Sequence, residues 1–218
     1  MLATVLPAKT AVMELREDPP DAWLYSEEAV HVARAVLARR NEFVSGRHCA
    51  RAALRELGIA PVPIPKGERG APVWPSGVVG SITHCGGYRA AAVAHRSDVP
   101  VLGVDAEPNE PLPEGVLHRI SLPQERVMLS TLPALPGIAW DRLLFSAKES
   151  VYKAWFPRTL EWLDFMEAEI TIDPATVSFS ARLLVPGPVV DGVRWSTLTG
   201  GFAVRDGLLV TAVANGHS

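Results

Sequence analysis

Gly103-Val104-Asp105-Ala106-Glu107 is the stretch that decides the fold, together with Phe145-Ser146-Ala147-Lys148-Glu149-Ser150-Val151-Tyr152-Lys153 further along the chain. The first stretch continues an apolar, β-branched run from Val101, which predicts a buried strand. The second has apolar residues at helical spacing, which predicts a helix. On a strand, Asp105 and Glu107 stand at i and i+2 and therefore point to one face.

The acids and lysines of these two stretches indicate a metal and a phosphate. Asp105, Glu107 and Glu149 offer three hard oxygen ligands without a His or Cys companion, which suits Mg²⁺ better than zinc. Lys148 and Lys153 beside them suit a phosphate. The alternatives are a loop start with solvated acids and a surface ion pair between Glu149 and Lys153, worth a few tenths of a kcal/mol.

The remaining pattern predicts an α+β protein. A strand is expected at 11–15, a helix capped by Ser26, and a second helical stretch at 47–57, with a bend or break between 41 and 46. Further helices are expected at 123–129 and 140–156, the latter stopped by Pro157. Gly86-Gly87 fits a hairpin or a strand-to-helix turn, and residues 169–214 read as β-rich with turns between the strands.

Composition limits the classes of function. The chain has 218 residues, 48% of them hydrophobic, and a formal net charge of -3, so no global basic surface for nucleic acid is expected. Two cysteines are too few for a disulfide framework, no signal peptide is evident, and no apolar run is long enough to span a membrane. We therefore expect a cytoplasmic protein that binds neither nucleic acid nor membrane.

Other polar residues are candidates for an anion site. Ser81, Thr83 and His84 follow Gly80, and small hydroxyl residues with glycines let a phosphate approach the backbone; a turn or core histidine is the alternative for His84. The first half also contains a basic stretch, made of Arg39, Arg40, Arg47, Arg51 and Lys66. Its guanidinium groups could bind a phosphate in two-pronged fashion, and the alternative is an ordinary solvated helix face. The two His-Cys pairs have neither a zinc spacing nor the signature of a thiol nucleophile.

Several blocks of the sequence occur together, and in this order, in one family. The blocks are Arg39-Arg40-Asn41-Glu42-Phe43, Gly46-Arg47-His48-Cys49-Ala50-Arg51, Pro65-Lys66-Gly67, Gly80-Ser81-Ile82-Thr83-His84-Cys85, Gly103 to Glu107 and Phe145 to Lys153. On these blocks the chain resembles the 4′-phosphopantetheinyl transferases of the long, two-lobed type, in particular the enterobactin-type and actinobacterial branch. The residues after Pro157 carry no recognised motif.

The resemblance implies a reaction and a set of site residues. The family transfers the phosphopantetheine arm of coenzyme A to a serine of acyl or peptidyl carrier proteins and releases adenosine 3′,5′-bisphosphate. Asp105, Glu107 and Glu149 would bind Mg²⁺ or Mn²⁺, and Glu149, Lys153 and Asp105 would be the catalytic residues. Coenzyme A would be held by the residues Arg39, Arg47, Lys66, Ser81, Thr83, His84, Lys148 and Lys153.

The resemblance also implies an architecture. Two similar α/β lobes related by a pseudo-twofold would span residues 1–102, with the nucleotide contacts, and 103–218, with the metal ligands, in a monomer. Glu149 is the first candidate for the base, and Glu125 for an outer role beside the metal. The alternatives are a Mg²⁺-dependent hydrolase of coenzyme A or a related pyrophosphate, and a non-catalytic module that binds coenzyme A or a carrier protein.

Overall fold

The first half of the chain places one long helix on a small antiparallel sheet. The computed structural model describes residues 1–133 and 137–217. Its regular elements before residue 100 are β1 (Ala11–Leu15), α1 (Ser26–Ala29), α2 (Leu37–Glu56), β2 (Val78–Cys85) and β3 (Tyr88–His95), with short 3-10 helices at Leu2–Val5, Val30–Val32 and Glu68–Gly70. The sheet order is β1-β3-β2, and Gly86-Gly87 forms the hairpin turn between its last two strands.

Helix α2 is continuous where the sequence predicts a bend. The break lies earlier, at residues 33–36, and α2 runs without interruption through 41–46. The apolar side chains at the start of this helix do not belong to the core, because Val36, just before α2, and Leu37, its first residue, are each 74% exposed. Tyr25, not Ser26, is the N-cap of α1, and Gly58 with φ +75° follows the end of α2, where glycine tolerates the left-handed conformation.

Small residues let α2 approach its sheet closely. Cys49, Ala50 and Ala53 are fully buried against the alanine-rich strand β3. An alanine side chain fills little space, so the helix axis can lie near the strands and still exclude water. This packing fixes the direction in which the opposite, polar face of α2 points.

The second half repeats this arrangement on a larger scale. Its elements are β4 (Gly103–Pro108), α3 (Val116–Ile120), α4 (Pro123–Thr131), α5 (Trp140–Thr159), a 3-10 helix at Phe165–Glu167, β5 (Ala168–Asp173), β6 (Ser178–Leu183), β7 (Val189–Val190), β8 (Val193–Arg194), β9 (Thr197–Arg205) and β10 (Leu208–His217). The antiparallel order β4-β10-β9-β6-β5 forms one sheet, and β7 and β8 form a short ribbon. The turns Asp191-Gly192 and Asp206-Gly207 have positive φ at both residues, as tight hairpins require.

Helix α5 packs across the five-stranded sheet. Its buried stripe includes Leu143, Leu144, Ala147 and Val151, as the spacing predicts. The predicted stop at Pro157 is wrong: the helix continues to Thr159, because proline removes one hydrogen bond without preventing one more turn, and it ends where Leu160 adopts φ +57°.

The two halves meet where β2 lies beside β4. The Val104 N–H donates to Ser81 Oγ at 3.0 Å, which ties the strands across the seam. The α+β class is confirmed, with a long helix on an antiparallel sheet in each half, while a boundary between 102 and 103 stays a prediction. Among the residues that the structure describes, no helix has the length and apolar character to cross a membrane.

Candidate active site

A pocket of about 310 Å³ opens at the seam between the two halves. It is bounded by α2, the segment 66–72, β2 and the last turns of α5. The side chains that line it from both halves include Arg39, Glu42, Phe43, Arg47, Lys66, Arg69, Ser81, Thr83, His84, Glu149, Tyr152, Lys153 and Phe156. Seven of the predicted coenzyme-binding residues and the predicted base Glu149 therefore line one pocket.

Asp105 lies at the centre of a buried polar network beside this pocket. Its carboxylate, 5% exposed, accepts a hydrogen bond from Ser146 Oγ at 2.8 Å and pairs with Lys153 Nζ at 2.7 Å. Thr83 Oγ1 donates to Asp105 from across the seam at 3.4 Å. The aspartate therefore connects β2, β4 and α5.

Glu107 and Glu149 lie in the field of this aspartate. Glu107 Oε2 pairs with Arg142 at 2.9 Å. Burial, and then the charge of Asp105, raises the pKa of Glu107 and also that of Glu149. The acids thus crowd negative charge into one poorly hydrated region, as a cation site does.

The acid side chains do not yet form a closed metal centre. In the described ranges, 1–133 and 137–217, no group of three or more His, Cys, Asp or Glu side chains is arranged to hold a metal ion. Lys153 neutralises Asp105, and Arg142 neutralises Glu107. Binding of a divalent ion by these acids therefore requires their side chains to turn away from these partners.

Arg39, Glu42 and His84 form the outer wall of the pocket. Arg39 Nη1 donates to His84 Nε2 at 2.9 Å and pairs with Glu42 at 3.1 Å. Burial lowers the pKa of His84, Glu42 opposes this, and Arg39 adds to it. Because a guanidinium can only donate, His84 Nε2 accepts from Arg39, and a neutral imidazole in this arrangement carries its proton on Nδ1, on the side that faces Glu42.

Arg47 and Lys66 supply two further cations. The Arg47 guanidinium stacks on Phe43 at 4.1 Å and donates from Nε to the Ile64 carbonyl at 2.7 Å, while its buried Nη2 has no acceptor among the described residues. Burial lowers the pKa of Arg47 to about 10, which leaves it charged at neutral pH. Lys66 lies in a tight turn closed by a hydrogen bond from Gly67 N to Ala71 O at 2.8 Å.

The structure does not bring Lys148 to the pocket, which corrects its predicted role in coenzyme binding. Its ammonium, 3% exposed, pairs with Glu125 at 2.9 Å and donates to the carbonyls of Phe165 and Ala168. Successive residues on a helix point about 100° apart, so Lys148 and Glu149 face different surroundings. Glu125 also accepts from Leu122 N and Ile170 N, so this pair ties α4 and β5 to α5.

Sequence reasoning missed Arg142 and Ser146, although the sequence contains a signal for them. Arg142, Ser146, Glu149 and Lys153 stand at i, i+4, i+7 and i+11 on α5. This polar stripe reaches both strand acids, through Arg142 to Glu107 and through Ser146 and Lys153 to Asp105. Arg69, Tyr152 and Phe156 also line the pocket without having been predicted.

The two cysteines are poor nucleophiles, as expected. Burial raises the pKa of Cys49 to about 12, and burial with the charges of Glu107 and Asp105 raises that of Cys85 to about 11. Both thiols are therefore protonated at neutral pH.

Comparison with protein families gives two adjacent matches. The description "4′-phosphopantetheinyl transferase N-terminal domain" matches residues 27–94, and "4′-phosphopantetheinyl transferase superfamily" matches residues 101–188. The chain belongs to the 4′-phosphopantetheinyl transferase superfamily. The second match contains Asp105, Glu107 and the stripe of α5, and the first contains the cationic wall.

Curated relatives support this membership over nearly the whole chain. The chain is 56% identical to 4′-phosphopantetheinyl transferase Svp of Streptomyces mobaraensis, over 98% of this chain and 89% of the relative. It is 49% identical to 4′-phosphopantetheinyl transferase PptT of Mycobacterium tuberculosis, over 98% and 97%. Enterobactin synthase component D of Salmonella typhi is 38% identical over 63% of this chain and 57% of its own length.

The family membership makes the protein an enzyme. It is a 4′-phosphopantetheinyl transferase, and the resemblance to this family inferred from the motif blocks is confirmed. The long two-lobed type is consistent with matches to an N-terminal and a C-terminal family description within a single chain.

Proposed function

We propose that this transferase moves the 4′-phosphopantetheine arm of coenzyme A to a serine of apo acyl or peptidyl carrier proteins and releases adenosine 3′,5′-bisphosphate. The observation that carries this is the seam pocket, where a wall of cations from the first half faces Glu149 and Lys153 of α5. A pyrophosphate ester with a further 3′-phosphate is a polyanion, so it matches a wall of this charge.

The cationic wall would bind the nucleotide end of coenzyme A. Arg39, Arg47 and Lys66 present guanidinium and ammonium donors to phosphate. The buried Nη2 of Arg47 has no acceptor within the described part of the chain, and a phosphate oxygen would supply one. His84 would meet the 3′-phosphate beside Arg39, with Ser81 and Thr83 lining the same side. Tyr152 and Phe156 give the pantetheine arm an apolar wall.

The donor set fits a divalent cation. Asp105, Glu107 and Glu149 are hard oxygen donors without a nitrogen or sulfur companion. Burial, and then the negative charge of Asp105, raises the pKa of both glutamates, and a bound cation would offset both effects. These three residues would hold Mg²⁺, or Mn²⁺ in its place. When bound, the ion would neutralise charge on the pyrophosphate oxygens.

The residues of α5 would assist the transfer itself. The carrier serine oxygen attacks the β-phosphorus of coenzyme A, a new P–O bond forms, and the bond to the bridging pyrophosphate oxygen breaks. Glu149 accepts the serine proton, directly or through water, and burial, which raises its pKa, makes it a better base. Lys153 supports the departing adenosine 3′,5′-bisphosphate with its positive charge.

We further propose a monomer in the cytoplasm that acts on separate carrier proteins. The pocket receives residues from both halves of one chain, so a second copy is not needed to complete it. The boundary of the two lobes at 102 and 103 belongs to the same proposal.

Intact-protein mass spectrometry tests the function. Purified apo acyl and peptidyl carrier proteins are incubated with the enzyme, coenzyme A and Mg²⁺, and each modified carrier should gain one phosphopantetheine group. A chelator and the variant Glu149→Gln should both abolish the gain, while Glu161→Gln, at an exposed acid after α5, should not. Release of phosphopantetheine without any carrier adduct would indicate the hydrolase instead, and unreacted bound coenzyme A the binding module.

A further inference from the structure

A second cavity of about 220 Å³ lies at the seam beside the coenzyme pocket. It is bounded by the segment 67–74, the start of β2, the connection 96–102 and the end of α5. Ala71, Pro72, Gly80, Phe156 and Pro157 line both cavities and form their common wall. The remaining lining is different, so the second cavity has its own chemistry.

Much of this seam cavity is apolar. Val79, Val101, Leu102 and Phe156 line it, and all four are buried. Such walls favour binding of the aliphatic or aromatic part of a ligand, because burial of apolar surface lowers the free energy in proportion to the area covered. The volume suits a molecule of roughly ten heavy atoms rather than a nucleotide.

Two guanidinium groups give the same cavity a positive charge. Arg96 and Arg158 both line it, and within the described part of the chain neither forms an ion pair with a carboxylate. Burial, and then the charge of Arg96, lowers the pKa of Arg158, and the charge of Asp191 opposes this shift. Glu68 is the acid in the lining, so the net charge of the cavity is positive.

Two of the residues that line the cavity carry a buried N–H group without an acceptor in the described ranges. Neither Arg158 Nε nor Trp74 Nε1 has a hydrogen-bond partner among the described residues. A buried N–H without an acceptor is unfavourable, so a group that brings oxygen atoms to this wall would relieve the cost. The cavity therefore has apolar walls together with N–H donors that an anionic acceptor would satisfy.

We propose that the seam cavity is a binding site for a small organic anion with an apolar body, namely a medium-chain carboxylate. The carboxylate would accept hydrogen bonds from Arg158 and Arg96, and the chain would lie along Val101, Leu102 and Phe156. The coenzyme site uses a different set of cations, Arg39, Arg47 and Lys66. The proposal stands on the cavity itself, whatever the substrate of the neighbouring site.

The test is a titration of the ¹⁵N-labelled protein with octanoate, followed by the indole N–H signal of Trp74 in NMR spectra. The variant Trp74→Phe identifies that signal among the six tryptophans. A saturable shift of the Trp74 signal is expected. Octanol, which has the same chain without the charge, should bind about tenfold more weakly, because a charge-assisted hydrogen bond is lost.

Variants separate this site from the coenzyme pocket. Arg158→Met should weaken octanoate about tenfold, and Arg96→Gln, at an exposed residue that can change without harm to folding, should weaken it in the same direction. Arg47→Met, in the coenzyme pocket, should leave it unchanged. No saturable shift, equal binding of octanol, or loss of the shift in Arg47→Met would overturn the proposal.

Discussion

Individual charges decide how strongly the pocket holds an anion. Glu42 stands in the cationic wall, where it pairs with Arg39 and faces His84. A carboxylate in this position competes with a bound phosphate for the same donors and repels it. Glu42 would therefore weaken phosphate binding at the proposed coenzyme A site.

Glu42→Gln should tighten coenzyme A binding by about threefold, since the repulsion is lost while the side chain keeps its shape. The affinity for dephospho-coenzyme A should increase less than that for coenzyme A if the 3′-phosphate lies at this wall. Isothermal titration calorimetry with both ligands measures the difference, and Glu56→Gln, an exposed acid at the end of the same helix, is the control. Weaker binding of coenzyme A in Glu42→Gln would mean that Glu42 orients Arg39 instead.

His84 should make coenzyme A binding depend on pH. Its pKa is lowered in the free enzyme, chiefly by burial, and a neighbouring phosphate dianion would raise it, so binding takes up a proton. Affinity for coenzyme A should therefore fall as the pH rises through the raised pKa of the complex. Binding constants between about pH 5 and 8 check this, and a flat profile for coenzyme A, or the same slope for dephospho-coenzyme A, would contradict it.

At the scale of elements, α5 has two polar surfaces with different tasks. One stripe faces the strand acids, and Lys148 on another face enters a buried ion pair with Glu125. A buried pair of this kind is costly to break, because the remaining charge has no water to solvate it. Helix α4 and strand β5 depend on that pair for their position against α5.

Lys148→Met should lower the free energy of unfolding by about 3–5 kcal/mol, because Glu125 is left as an unpaired buried charge. The double variant Lys148→Met with Glu125→Gln removes the unpaired charge and keeps one side-chain oxygen as acceptor for a backbone N–H, so it should recover part of the loss. Urea denaturation of both variants measures this. A Lys148→Met variant of native stability that has lost coenzyme A binding would restore the original prediction for Lys148.

Gly103→Ala should disturb the contact between β4 and α5. A Cβ atom at this position would meet the Ser150 carbonyl oxygen at 2.0 Å, so strand and helix must separate. We expect a loss of about 3 kcal/mol in stability and a larger loss of transfer activity, because Asp105 follows two residues later. Gly86→Ala, where no atom lies within 4 Å, is the matched control, and equal effects of the two variants would refute the argument.

Local sequence patterns predicted many of the helices and strands, and they were less successful for the breaks and ends of these elements. Strand β1, the start of α4 and the turns between the strands of residues 169–214 follow from alternation and turn residues, and they were found where expected. The break before α2 was misplaced because Val36 and Leu37 continue a helical pattern on a surface that stays exposed. The passage of α5 through Pro157 depends on packing of the flanking turns, which no local rule measures.

At the scale of the whole molecule, the seam holds both cavities and the contact between the halves. Two direct hydrogen bonds cross it near the site, from the Val104 N–H to Ser81 Oγ and from Thr83 Oγ1 to the Asp105 carboxylate, and neither is an ion pair between the halves. A ligand that bridges the cationic wall and α5 would therefore add substantially to the stability of the whole chain.

Saturating coenzyme A with Mg²⁺ should stabilise the protein by about 2.7 kcal/mol when the ligand is a hundredfold above its dissociation constant. Thermal unfolding with and without the two ligands measures this, and hydrogen exchange should show new protection in both β2 and α5. Removal of Mg²⁺ by a chelator should reduce the stabilisation by coenzyme A in the native protein, and it should not change that stabilisation in the variant Asp105→Asn. Protection confined to one half would contradict a site that spans the seam.

The sequence by itself determined the family, the α+β class and most of the residues that meet in the pocket, because motif blocks and hydrophobic periods are local properties. Only the tertiary structure decided which side chains reach each other. It turned Lys148 into the core and paired Arg142 with Glu107 and Lys153 with Asp105. It also left Arg158 Nε and Trp74 Nε1, at a second cavity, without an acceptor among the described residues. These outcomes depend on how helix faces rotate against distant strands, and that rotation is fixed by packing across the whole core.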